Sequence, residues 1–202
     1  NFQYSSLADY LDLDPGLDVG AIAEEPQRID NTLIDVMIAR HDSGLALLSA
    51  PPNRAAWKAE PQVFVAQLLN VVSEMFDDVL IDLPPGWHSW TGDILAGSDE
   101  LLIVTDFTVP GLRRAKQLLD GLGEASPAKS EPRVIVNRCS ERFFGTGLRR
   151  SDAQELFGKS LAGFVTGEND RVHEAINLGQ LSALAGGSSK IAKDLKRIVP
   201  GL

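Results

Sequence analysis

Eight residues, Val79-Leu80-Ile81-Asp82-Leu83-Pro84-Pro85-Gly86, join an apolar run to a single carboxylate and then to a sharp turn. This order suits a site for a nucleotide and its metal ion. An acid at the carboxyl end of a buried parallel strand stands in the crevice where open α/β sheets take ligands. From there it can hold Mg²⁺ or its water without being buried unpaired. Asp82 is therefore the first candidate for chemistry. The plainer reading of the same residues is a core strand ended by a capping Asp before a turn.

Other reactive residue types are poorly placed for catalysis. His41, His88 and His173 are too scattered for a metal-ligand spacing, and Cys139 lacks a Cys-x-x-Cys partner, so a structural zinc is not expected. No G-x-S-x-G elbow or Ser-His-Asp order points to a covalent hydrolase. Trp87, His88 and Trp90 form an aromatic turn after the Asp82 run. Such a turn can offer a partner large contact area, although packing of both indoles beneath it is the simpler use. The sequence contains no G-x-x-x-x-G-K-[ST] phosphate loop. The run Gly186-Gly187-Ser188-Ser189-Lys190 puts Lys after the serines and follows no strand, so Ser188 or Ser189 is expected to cap the last helix.

Positioning Asp82 requires a sheet. Strand-like runs recur at Leu45 to Ser49, Val79 to Leu83, Leu101 to Thr105, Val134 to Val136 and Leu161 to Val165, with helical periodicity between most of them. This alternation predicts an α/β fold, three-layer α/β/α with a mainly parallel sheet. After Pro61, the spacing of Val63, Phe64, Leu68, Leu69, Val72 and Phe76 predicts a helix with one apolar stripe. A second helix is predicted from about Pro110 to Leu122, with Leu112, Ala115, Leu118, Leu119 and Leu122 inward and Arg113, Arg114 and Lys116 on a solvated face. Ser151-Asp152-Ala153-Gln154 has capping-box form, and Gly158 can close the helix that follows. Ala125 to Glu131 reads as a loop, and no repeat or domain boundary stands out.

The 202 residues are enough for a sizeable core without disulfide or metal staples. A single cysteine, no signal peptide and no apolar run of about 18 residues predict a cytosolic setting. With 28 acidic residues against 19 basic ones, the formal charge of −9 opposes general attraction to polyanions, so no specific nucleic-acid partner is expected.

Together, VLIDLPPGWHSWTGDILAGSDELLIVTDFTVPGLRRAKQLLDGL, the strand end VIVNRC and the late segment EAINLGQLSAL resemble the MinD/ParA family of deviant P-loop ATPases, closest to its CpaE/TadZ pilus-assembly branch. The opening NFQYSSLADYLDLDPGLDVGAI looks like the stretch after the family's second strand. The resemblance implies ATP and Mg²⁺ as cofactors, with Asp82 matching the Walker B acid that helps organise the metal. Pro84, Pro85 and Gly86 match the switch segment beyond it. Asn137-Arg138 matches the family's Asn-Arg or Asn-Lys pair, whose amide reads the adenine edge with a donor and an acceptor. Phe164, Val165 and Thr166 match the loop that walls the adenine side, although one of them can simply be core. The family's signature Lys and its Ser/Thr magnesium ligand have no match, so residues 1–202 read as an ATPase domain lacking its N-terminal strand and phosphate loop.

The resemblance implies an ATP-dependent dimerisation switch that hydrolyses ATP in the complete protein. Its partners would be a second copy and pilus or type II/IV-like secretion machinery, at a cell pole or peripheral to the inner membrane. The alternatives are a non-hydrolysing scaffold that positions such machinery, and a small-molecule ligase of the same fold superclass. Near the end, Ile191, Leu195, Ile198 and Val199 alternate with Lys190, Lys193, Lys196 and Arg197. Residues 188–199 thus suit either a membrane surface or docking on the domain's own sheet.

Overall fold

In the computed structural model of the protein, the described residues are 6–18, 22–51, 62–84, 86–125, 131–139, 147–181, 184 and 189–198. The chain divides into two compact units, Asn1–Thr91 and Gly92–Leu202, at a point where the sequence offers no linker signal.

In the first unit, helix α1 (Leu7–Leu11) ends where Asp12 turns left-handed, with φ 51°. Helix α2 (Asn31–Met37) begins at Asp30, whose Oδ1 accepts the Leu33 N–H at 2.8 Å, and buries Ile34 and Met37. Strands β1 (Ala39–Arg40) and β2 (Ala46–Leu47) pair antiparallel. Between them the His41 N–H donates to the Leu45 carbonyl at 2.9 Å, and Gly44 adopts φ 90°. The run expected as a strand from Leu45 to Ser49 is therefore one arm of a short hairpin. Helix α3 (Gln62–Met75) buries Phe64, Val65, Leu68, Val71 and Val72. Val63, expected on the same stripe, is 66% exposed. The five-residue step from 63 to 68 turns a helix by about 140° beyond a full revolution, which carries Val63 off the apolar face.

The expected strand at Val79 to Leu83 does not form. Residues 79–84 have no regular secondary structure, and Leu80 is 94% exposed. Apolar, β-branched composition favours a strand only where a neighbour supplies the ladder hydrogen bonds, and among the described residues no strand pairs with this run.

The second unit is the sheet predicted from the alternation. After helix α4 (Thr91–Gly97), strands β3 (Leu102–Asp106), β4 (Arg133–Cys139) and β5 (Leu161–Thr166) lie parallel in the order β3-β4-β5. Helix α5 (Val109–Ala125) joins the first pair and helix α6 (Arg150–Phe157) the second. Two right-handed crossovers that advance in one direction place both helices on one face of the sheet. The α5 stripe buries Leu112, Ala115 and Leu122, while Arg113 and Arg114 are exposed as expected; Leu118, expected inward, is 43% exposed. The α6 cap is not Ser151 with Gln154: the Asp152 Oδ2 accepts the Arg149 N–H at 2.7 Å, so the cap pair lies two residues earlier. Gly158 closes that helix with φ 52°, as its missing Cβ permits.

Helices α7 (Asn169–Asn177) and α8 (Lys190–Ile198) follow. The Ser189 hydroxyl caps α8, accepting the Ala192 N–H at 3.1 Å. The α8 stripe is docked: Ile198 packs with Ile135 and Val165, flanked by Ala162 and Ile191. Ile135 and Val165 point away from the fully buried Val134 and Val136, so β4 and β5 are covered on both faces and the unit has three layers there, while Leu102 and Val104 of β3 are exposed. Docking on the sheet, one of the two expected uses of residues 188–199, is the one seen for the described part of that segment. Among the described residues no helix is long and apolar enough to cross a membrane.

Candidate functional site

The carboxyl ends of β3, β4 and β5 gather the polar residues of the second unit. Along β4 the register with β5 slips between Val136 and Cys139, so that two residues, Asn137 and Arg138, stand where β5 has one. This is a bulge. It bends the strand end and re-aims the side chains on it. Arg138 accommodates the bulge in the left-handed region, at φ 55°, where a non-glycine residue carries strain.

The neighbours hold this distorted end in place. Asn137 Oδ1 accepts the Arg138 N–H at 2.7 Å, and the Asn137 carbonyl accepts the Phe107 N–H at 3.1 Å. Arg138 Nη1 lies 3.5 Å from Asp106 Oδ1, an exposed pair worth little energy but useful for orientation. The Gly167 N–H donates to the Cys139 carbonyl at 3.0 Å, and a Cβ at Gly167 would lie 3.3 Å from the Arg138 backbone. The Cys139 thiol points inward, donates to the Val136 carbonyl at 3.4 Å, and has its pKa pushed up by burial to about 11.

Aromatic and cationic groups flank the bulge. Phe107 meets Phe164 edge-on, with ring centroids 6.3 Å apart, and the Arg150 guanidinium sits 5.1 Å over the Phe164 ring. Of the three residues matched to an adenine-side wall, Val165 is a core residue packed on Ile198, Phe164 belongs to the aromatic group, and Thr166 is buried and bonded to α8. The second unit thus brings together Asn137, Arg138, Phe164, Val165 and Thr166.

Asp82, Pro84 and Gly86 belong to the first unit, in a stretch without regular secondary structure; Pro85 lies outside the described residues. Asp82 and Gly86 are exposed and Pro84 is half-buried. In the aromatic turn, Trp90 is buried and stacks on His88 at 5.1 Å, whereas Trp87 is 65% exposed. One indole packs as expected and the other does not.

Sequence reasoning missed Asp106, Arg150 and Asp194. Asp106 carried the same signal as Asp82, an acid closing an apolar run, one residue beyond the boundary drawn at Thr105. The other two reach the sheet from helices and leave no local pattern.

No protein-family model matches the sequence. The chain is 28% identical over 150 residues to the septum site-determining protein MinD of Bacillus subtilis, an overlap of 72% of this chain and 54% of that protein, so it spans about half the length of that relative. Its structure superposes on a ParA family ATPase from Chlorobium tepidum with a TM-score of 0.77 and 22% identity, covering 97% of this chain and 81% of the other. Against MinD in the MinC:MinD cell division complex of Aquifex aeolicus the TM-score is 0.71 at 19% identity, covering 98% and 78%. The α/β architecture with its parallel sheet is that of the ParA and MinD ATPases, and the sequence is related to MinD.

Proposed function

We propose that the complete protein is a MinD/ParA-type ATPase of the CpaE/TadZ kind, using ATP to switch between monomer and dimer in pilus assembly or polar localisation. The observation that carries this reading is the bulged end of β4, where Asn137 stands beside the strained Arg138 at the carboxyl rim of a parallel sheet. Strain of this kind concentrates at ligand sites.

The residues fit the cofactors. Asn137 keeps an amide NH₂ beside an Oδ1 that already accepts one N–H, which leaves donor and acceptor capacity for a purine edge. Magnesium is commonly held by one or two carboxylates together with substrate phosphates, a demand that Asp82 meets from the protein side. When bound, the ion would neutralise charge on the phosphates. In the first unit Asp82 would hold the ion or its water; in the second, Asn137 would select the base, with the Phe107 and Phe164 rings limiting water beside it. The signature lysine and magnesium-binding hydroxyl of such ATPases belong to a phosphate loop that these 202 residues do not contain.

Calorimetric titration of ATP with magnesium, into this chain and into the complete protein, tests the proposal. Binding by the complete protein with dimer formation is expected. A complete protein that binds no ATP would instead favour the non-hydrolysing scaffold, for which the exposed Trp87 offers a docking group.

A further inference from the structure

The docked helix α8 reaches back to the rim of the sheet. Asp194, 15% exposed at its side chain, accepts both the backbone N–H of Thr166 at 3.0 Å and its hydroxyl at 2.7 Å on a single oxygen, Oδ2. Its other oxygen, Oδ1, faces Arg197 at 3.5 Å. The contact is reciprocal: Glu168, two residues past Thr166, accepts the Ile191 N–H of the first α8 turn at 3.3 Å on its Oε2. At the far end the Arg133 guanidinium donates to the Ile198 carbonyl at 3.1 Å. A helix whose function was to leave the domain for another surface would not need both of its ends tied to the sheet.

We propose that Asp194 is a positioning residue for nucleotide recognition, holding Thr166 and the turn after β5 in the conformation that walls the base. The inference rests on the ATPase reading above. A carboxylate that accepts an amide and a hydroxyl together fixes both the backbone and the rotamer of Thr166, and charge-assisted bonds of this type are among the strong ones. Thr166 faces Cys139 in register, beside the Asn137-Arg138 bulge, so a loosened turn would widen the place where the base edge is read. Base selectivity then depends on α8, although no α8 side chain is placed on the base.

The test uses the complete protein with Asp194→Ala, Asp194→Asn, Thr166→Val and Thr166→Ser. Affinities for Mg-ATP and Mg-GTP are measured by calorimetry, and amide exchange at residues 164–168 is measured without nucleotide. Asp194→Ala should weaken Mg-ATP by about tenfold, because the nucleotide must then order the turn that the two lost bonds to Thr166 had held. It should also shrink the preference for ATP over GTP and speed exchange at Thr166. Asn, which keeps an acceptor oxygen, and Ser, which keeps the hydroxyl, should restore most of the preference, while Val should not. A proportional fall for both nucleotides overturns base positioning and marks a general loss of fold. Unchanged exchange at Thr166 in Asp194→Ala overturns the clamp itself. If the wild-type protein binds neither nucleotide, the ATPase reading falls and takes the base-wall role with it, while the exchange result still decides the clamp.

Discussion

A Cβ placed on Gly163 would lie 2.7 Å from Cγ1 of Ile198, so the middle of β5 is shaped to receive the last apolar residue of α8. Gly163→Ala should push Ile198 off the sheet and strain the Ile135–Val165–Ile198 cluster. Overpacking of this kind costs about 1–3 kcal/mol. Urea unfolding should show the lower midpoint, and Gly163→Ala combined with Ile198→Val, which frees one methyl, should recover part of it.

Cys139 is fully buried, and its folded-state pKa of about 11 lies above the ordinary thiol value of 9.0 because burial disfavours the thiolate. The stability that follows from this is complete below the unfolded pKa and is lost as pH rises toward the folded one. Unfolding free energy should therefore decline between pH 9 and pH 11 in the wild type, and Cys139→Ala should remove that part of the slope. At pH 8 a thiol reagent should label the native protein far more slowly than the urea-unfolded chain, because the reactive species is the thiolate.

Arg138 allows stability to be separated from ligand affinity. Its left-handed backbone carries a cost of about 1–2 kcal/mol that glycine does not share, and its exposed pair with Asp106 returns little. Arg138→Gly should leave the melting temperature unchanged or raised. If the bulge serves nucleotide binding, the same variant should bind Mg-ATP several-fold more weakly in the complete protein. Calorimetry and thermal unfolding on one preparation check both halves.

What the sequence revealed of this site, and what it hid, has a physical cause. The run at Val134 was legible because a strand buried on both faces is continuously apolar, and those at Leu101 and Leu161 because apolar composition ran unbroken between turn signals. Each was read one to three residues short at its carboxyl end, at Asp106, Asn137 to Cys139 and Thr166, where the polar rim begins. Hydrophobic pattern fades where polar chemistry starts, so the rim is cut off by the same rule that finds the strand. Arg150 and Asp194 were invisible for another reason: a cation on Phe164 and a carboxylate 28 residues from Thr166 are products of packing. Val79 to Leu83 erred in the opposite direction, since strand composition does not supply a neighbour to pair with.

That last segment still holds Asp82, to which the proposed function assigns the magnesium ion. Asp82 is exposed, and surface changes usually alter stability by less than about 0.5 kcal/mol. If its carboxylate organises magnesium, the complete protein carrying Asp82→Ala should fold normally yet lose most ATP hydrolysis. It should also lose its ATP-dependent dimer at magnesium concentrations that suffice for the wild type. Asp82→Asn keeps the shape but removes the charge and should behave like Ala, because a hard divalent cation gains far more from an anionic oxygen than from an amide carbonyl. Sedimentation with and without Mg-ATP, alongside phosphate release, gives both readouts. Wild-type dimerisation and turnover in Asp82→Asn would remove Asp82 from the metal site and leave the exposed carboxylate as an ordinary surface group.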